Sequence, residues 1–169
     1  MMPRLVMVFQ ITIHWGSIDI AVIQITDHFL ISLESQMTEF AASLLSSPIL
    51  MIVARAVLAS FFLAAGIFGI FNFPAVVQEM TDASLSAPKL LAVATVATQL
   101  IGSVLLITNV LGLSWLGAIM LAVFTLLCIP FGHPFWQFEE PQRAQHLQIA
   151  LEHFALSGGL VIAAIASLR

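Results

Sequence analysis

Three histidines and a glutamate near the end of the chain are the residues that could do chemistry. His133 stands in the motif GHPFW, and His146 and His153 are seven residues apart, which places both on one face of a helix. Glu152 comes directly before His153. Imidazole groups exchange protons near neutral pH and donate hydrogen bonds to carbonyl oxygens. These residues therefore suit proton exchange or the binding of a carbonyl-bearing ligand such as a quinone.

Three kinds of site could use these residues: a metal site, a polar network and a site for a small apolar ligand. A metal site needs three or four converging ligands, and the histidine spacing matches no standard metal motif, so the sequence predicts no metal. A hydrogen-bonded polar network is the simplest alternative. Binding of quinone or of another small apolar ligand is the second alternative, with quinone as the candidate cofactor.

Other catalytic motifs are absent from the sequence. Cys128 is the single cysteine, so no intrachain disulfide and no CxxC pair can form. The sequence contains no nucleophile–base set and no phosphate-binding loop. The net charge of −4 and the lack of a basic cluster argue against nucleic acid as a partner. The catalytic residues are therefore unknown. If the protein takes part in an enzymatic reaction, we expect it to do so only as a subunit of an oxidoreductase.

A long stretch without charged residues indicates that this chain lies in a membrane. Residues 90–138, between Lys89 and Glu139, contain no Asp, Glu, Lys or Arg. A single helix of that length would be about 70 Å long, roughly twice the hydrocarbon thickness of a bilayer. The chain is 60% hydrophobic and 8% charged, whereas soluble domains carry about 25% charged residues. The stretch therefore predicts two membrane-spanning helices joined by a turn.

The whole pattern predicts an all-α, integral-membrane four-helix bundle. The predicted spans are about residues 49–71, 88–108, 115–129 and 142–168, within a membrane domain at 46–169. Pro48 and Pro88 are helix-start signals, while Pro130 and Gly132 are expected to stop the third span. A short interfacial helix is expected from Pro74 onward.

Residues 1–45 form a predicted N-terminal extension that is less well defined. Asp19 lies among apolar residues, and a carboxylate at mid-membrane costs about 2.5–3.5 kcal/mol on insertion scales. A disordered or interfacial segment is therefore favoured over a fifth span. Met37 begins a plausible natural start, so residues 1–36 are alternatively a start-site artefact.

Polar residues inside spans are costly and usually face the protein interior. Four alternating spans bring the candidate polar cluster to one leaflet, and its members are Gln99, His133, Glu152 and His153. Glu152 points about 100° away from His153 around the helix. Arg55 is the predicted anchor at the opposite face, where it either extends to lipid phosphates or holds a partner or an anionic headgroup.

Three short motifs carry a resemblance to a known family. Arg55 with the downstream run LASFFLAAGIFGIF, the sequence GHPFW after the third span, and FALSGGL in the fourth span resemble the DoxX family of small four-helix membrane proteins. The resemblance covers about residues 50–168. It implies a bacterial inner-membrane protein, and some relatives are associated with quinol oxidation or with oxidoreductase complexes.

The sequence also departs from the family pattern. Gly69 stands where the family usually has Lys, and Gln99 stands where it often has Glu. Glu152-His153 replace a Lys-Asn pair. Arg55 and His133 match the pattern. Whatever role the missing charged groups serve in relatives is therefore not carried over to this chain.

These observations predict an accessory or anchoring subunit of a membrane redox complex. The alternatives are a quinone-binding membrane oxidoreductase and an oligomeric carrier of a small solute. The expected location is the bacterial cytoplasmic (inner) membrane, with multiple spans. The expected partners are the lipid bilayer, an oxidoreductase subunit and further copies of the chain.

Overall fold

The structure, a computed structural model, describes residues 18–168, with side chains from residue 28 onward. The elements in this range are helices and short 3₁₀ turns, with no strand. The chain divides after Ser47 into two units. Each unit is described by itself.

The first unit contributes one long helix. Helix α1 spans Ile18–Leu45, 28 residues. All its side chains from residue 28 to residue 45 are exposed, including Phe29 and Phe40. Helix α1 is not among the described helices that are long and apolar enough to cross a membrane. The part of the predicted extension before residue 18 lies outside the described residues.

The second unit contains five helices. They are α2 (Pro48–Phe71), α3 (Phe73–Asp82), α4 (Pro88–Thr108), α5 (Ser114–Gly132) and α6 (Gln142–Ser167). Helices α2, α4, α5 and α6 are long and apolar enough to span a membrane. The predicted all-α four-helix membrane bundle is thus confirmed. A proline lies in the first turn of each of α2, α3 and α4, where the N–H that proline lacks would have no partner within the helix.

Helix α5 ends three residues later than the sequence predicted. It continues through Pro130 to Gly132, and the His133 N–H donates to the carbonyls of Cys128 and Ile129. A proline in the last turn removes only one helical hydrogen bond, and its fixed φ is compatible with a helix. Pro130 therefore does not stop α5, and the helix ends where Pro134 follows His133.

The four spans pack in chain order. Helix α2 packs on α4, α4 on α5 and α5 on α6, whereas α2 and α6 meet only narrowly. Small and aliphatic side chains with one aromatic ring fill the centre; the buried members are Ala59, Phe62, Leu106, Ala118, Leu121, Ala122, Leu160 and Ala164. Small residues let helix backbones approach in lipid, where hydrophobicity alone does not drive association.

Helices α4 and α5 approach each other closely at Gly117. A Cβ atom added to Gly117 would lie 2.6 Å from the carbonyl oxygen of Gly102 and 2.7 Å from the backbone nitrogen of Leu106. Both neighbours are backbone atoms, which cannot move aside without moving a helix. Glycine at position 117 therefore sets the distance between the two helices.

Helix α3 lies on the outside of α4. Its buried Val76 packs with Ala92 and Val96 of α4. The polar face of α3 carries Glu79 and Asp82, which are exposed. Glu79 lies in a groove with Thr95 and Gln99, near the middle of α4. The sequence pattern alone could not place this carboxylate there.

Candidate functional site

The end of α5 positions His133. This residue caps α5, and the following chain turns back through a 3₁₀ turn, Phe135–Gln137, that packs on α6. The Phe135 N–H donates to the His133 carbonyl at 2.8 Å. Proline at position 134 disfavours a helical conformation in the residue before it, and His133 leaves the helix at φ −132° and ψ 53°. The imidazole is thereby held against the first half of α6.

His133 lies between the two histidines of α6. Its ring centroid is 5.5 Å from that of His146 and 5.3 Å from that of His153. The two α6 histidines are about 10 Å apart along the helix axis. The three half-buried rings form what we call the histidine cluster, and the structure brings together two of the predicted residues, His133 and His153.

Hydrogen bonds fix the protons of this cluster. The Nδ1 atoms of His133 and His146 are 3.3 Å apart, so one nitrogen donates and the other accepts. The Nδ1 atom of His153 lies 2.8 Å from the Ile149 carbonyl oxygen, an acceptor only, so this nitrogen carries a proton. The Nε2 atom of His153 is therefore the acceptor nitrogen of the neutral ring.

An aromatic ring covers His146. Phe138 stacks on it with a centroid distance of 4.1 Å and an interplanar angle of 2°. Trp136, in the same segment, is exposed, as expected for a ring at the headgroup level. Sequence analysis had placed His146 on the same helix face as His153 but not in the candidate cluster. Its seven-residue spacing from His153 was the signal for including it.

Glu152 points away from the cluster. It is exposed, and its carboxylate accepts a hydrogen bond from Gln148 at 3.0 Å. Among the side chains of residues 28–168, no three His, Cys, Asp or Glu are arranged to hold a metal ion.

Gln99 lies in a different place from the histidines. It is 8% exposed and lines a groove of about 360 Å³ between α2, α3 and α4. Aromatic, small and polar side chains line the groove: Phe61, Ala64, Ala65, Phe68, Val76, Glu79, Thr95 and Gln99. Ser103, one turn below Gln99, donates to the Ala59 carbonyl across the helix interface at 3.5 Å. Gln99 and Ser103 thus lie on the face of α4 that meets α2.

Arg55 lies at the other end of the bundle. Its Nη2 donates to the Ser167 hydroxyl at 3.1 Å, and that hydroxyl donates to the Ala163 carbonyl. The Nε atom is buried without a hydrogen-bond partner among the described residues. Sequence analysis did not find Ser167, since nothing in the sequence indicates that α2 and α6 meet at this point.

A family model matches part of this chain. The family model described as DoxX matches residues 50–134, half of the chain. The chain belongs to the DoxX family. No curated protein and no solved structure matches it.

The DoxX segment contains only part of the candidate residues. Arg55, Gln99 and His133 lie within it, whereas His146 and His153 are on α6, beyond residue 134. The histidine cluster of this DoxX protein therefore joins the matched segment to a helix outside it. Gly69, where a lysine was expected from the family pattern, is buried, and an added Cβ would lie 2.7 Å from Val96.

Proposed function

We propose that this chain is an accessory or anchoring subunit of a membrane redox complex in a bacterial cytoplasmic membrane. The observation that carries the proposal is the hydrogen-bonded pair of His133 and His146 at one end of the bundle. Quinone reactions transfer protons together with electrons, and imidazole groups exchange protons near neutral pH. The family membership is consistent with this setting.

The geometry supports proton exchange by the cluster. The His133–His146 hydrogen bond persists whether the pair is neutral or carries one extra proton, because a single proton between the Nδ1 atoms is sufficient. His153 keeps its bond to Ile149 in both of its protonation states. The cluster can therefore take up a proton without losing these contacts.

The electrons are assigned to another molecule. Cys128 is the single cysteine of the chain, so the protein has no dithiol of its own. In this proposal a partner subunit or a bound quinone supplies the redox group, and the histidine cluster supplies proton exchange at the membrane boundary.

Purification from the native membrane in mild detergent tests the proposal. We expect a redox partner to co-purify, with a haem or flavin spectrum or with extractable quinone. His133→Ala and His153→Ala should each lower the redox activity of the complex while the protein still folds. His28→Ala, which changes an exposed histidine of α1, is the matched control and should leave that activity unchanged.

Two results would contradict the proposal. The first is purification of the chain without any redox partner, spectrum or quinone. The second is a loss of thermal stability in His133→Ala and His153→Ala, about 1–3 kcal/mol from unsatisfied partners, with no separate loss of activity. That result would indicate a structural polar network.

The groove at Gln99 favours a second candidate function, quinone binding by the chain alone. Its volume of about 360 Å³ is within the usual range for small-ligand sites. The amide of Gln99 and the hydroxyl of Thr95 can donate to quinone carbonyls, and Phe61 and Phe68 can contact the ring. Gln99→Leu should then abolish quinone retention by the isolated chain, whereas His133→Ala should not.

A further inference from the structure

We propose that the groove beside Arg55 binds one anionic phospholipid. In this site the phosphate contacts the guanidinium, and an acyl chain lies along the apolar wall of the groove. The groove measures about 480 Å³, and α2 and the end of α4 line it through Pro48, Met51, Ile52, Arg55, Ile107, Thr108 and Asn109. The inference is independent of the function proposed above.

Arg55 has more donors than the described protein satisfies. A guanidinium carries five N–H groups. One hydrogen bond, to Ser167, is present, and Nε is buried without a partner among residues 28–168. A buried donor without a partner destabilises the folded protein. An anionic oxygen next to the guanidinium offsets part of this cost.

Among residues 48–168, no carboxylate side chain forms an ion pair or a hydrogen bond with Arg55. The carboxylate side chains among these residues are on α3 (79 and 82), just before α6 (139 and 140) and in the first half of α6 (152), whereas Arg55 contacts the end of α6. Arg55 is seven residues from the start of α2, about 10 Å along the axis. A long arginine side chain at that depth reaches the phosphate level of the bilayer.

The shape and chemistry of the groove favour an amphiphile over a free anion. Met51, Ile52 and Ile107 provide an apolar wall that continues directly from the cation. At the polar end, the Asn109 Oδ1 accepts from the Ser114 N–H, which leaves the amide donor of Asn109 available to a headgroup. A phospholipid satisfies both parts, whereas inorganic phosphate satisfies only the polar one.

Lipid selectivity of the full chain in mild detergent tests the proposal. The probes are phosphatidylglycerol, phosphatidylcholine with the same acyl chains, and inorganic phosphate. Binding is measured by native mass spectrometry and by the shift in melting temperature. Wild-type protein should bind phosphatidylglycerol about fivefold more tightly than phosphatidylcholine, the preference expected from one cation near the surface.

Single substitutions test which residue causes the preference for phosphatidylglycerol. Arg55→Gln should remove the preference for phosphatidylglycerol, whereas Arg143→Gln, the matched change of an exposed arginine at the other end, should keep it. Met51→Trp fills the apolar part of the groove and keeps the charge of Arg55, so it should weaken the binding of both lipids. If Arg55→Gln does not fold, the wild-type preference and the Met51→Trp result decide the question.

Three results would overturn the inference. They are equal binding of the two lipids by wild-type protein, an unchanged preference in folded Arg55→Gln, and stabilisation by inorganic phosphate equal to that by phosphatidylglycerol. The last result would show a simple anion site without a lipid chain.

Discussion

The Nδ1 atom of His133 lies 3.3 Å from the Nδ1 atom of His146 and links the end of α5 to the second turn of α6. A hydrogen bond of this kind requires that one of the two nitrogens has no proton. The pair can therefore be neutral or singly charged. A second added proton removes the acceptor and places two positive rings in contact.

This arrangement predicts that acid lowers the stability of the bundle. Burial, together with the neighbouring His153 and His146, holds the pKa of His133 below its ordinary value. A second proton on the pair should cost about 0.5–1.5 kcal/mol through the lost hydrogen bond. The contribution is present at the high-pH end and is lost as the pH falls. Thermal unfolding in detergent at several pH values measures it.

His146→Phe and His28→Phe separate this pair from other titrating groups. The first variant should show a smaller loss of stability on acidification than wild-type protein, whereas the second, on α1, should behave like wild type. An equal loss in all three proteins would show that the pair does not cause the effect.

Gly117→Ala should destabilise the bundle by about 1–3 kcal/mol. The added methyl group meets the backbone of α4 at Gly102 and Leu106, so the two helices must separate. Gly158→Ala is the control, because nothing lies within 4 Å of a Cβ added there. That variant should be neutral or more stable by about 0.5–1 kcal/mol. Denaturation midpoints in detergent give both values, and equal midpoints would contradict the close approach.

A chain that begins at Met37 should insert into the membrane and unfold at nearly the same temperature as the full chain. The reason is that both apolar clusters of the second unit consist of residues after Pro48. Detergent melting curves of the two chains test this expectation. A large drop in melting temperature would show that residues 1–36 stabilise the bundle.

Reporter fusions should place the two ends of α6 in opposite compartments. Fusions after Arg169 and within residues 139–143 flank this helix, which is long and apolar enough to span the membrane. We expect the end of the chain to face the cytoplasm, together with the start of α2. Fusions that report the same compartment would contradict the four-span bundle.

The sequence predicted the four spans well because the signals are local. A charge-free stretch and prolines at helix starts need no knowledge of packing. The meeting of His133 with His153 followed from the alternation of spans. Gln99 differs, because the groove that it lines depends on where α3 packs, and the contacts of Val76 decide that placement. The bond between Arg55 and Ser167 depends on helix rotation, which hydropathy does not record.

The order in which the helices pack has a consequence for biogenesis. Each of α4, α5 and α6 rests mainly on the span made just before it, so the bundle can grow one helix at a time during synthesis. The hydrogen bond from Arg55 to Ser167 differs, since its partners are 112 residues apart. Arg55 enters the membrane with the first span of the bundle, so its hydrogen bond to Ser167 cannot form until the last turn of α6 has been synthesised.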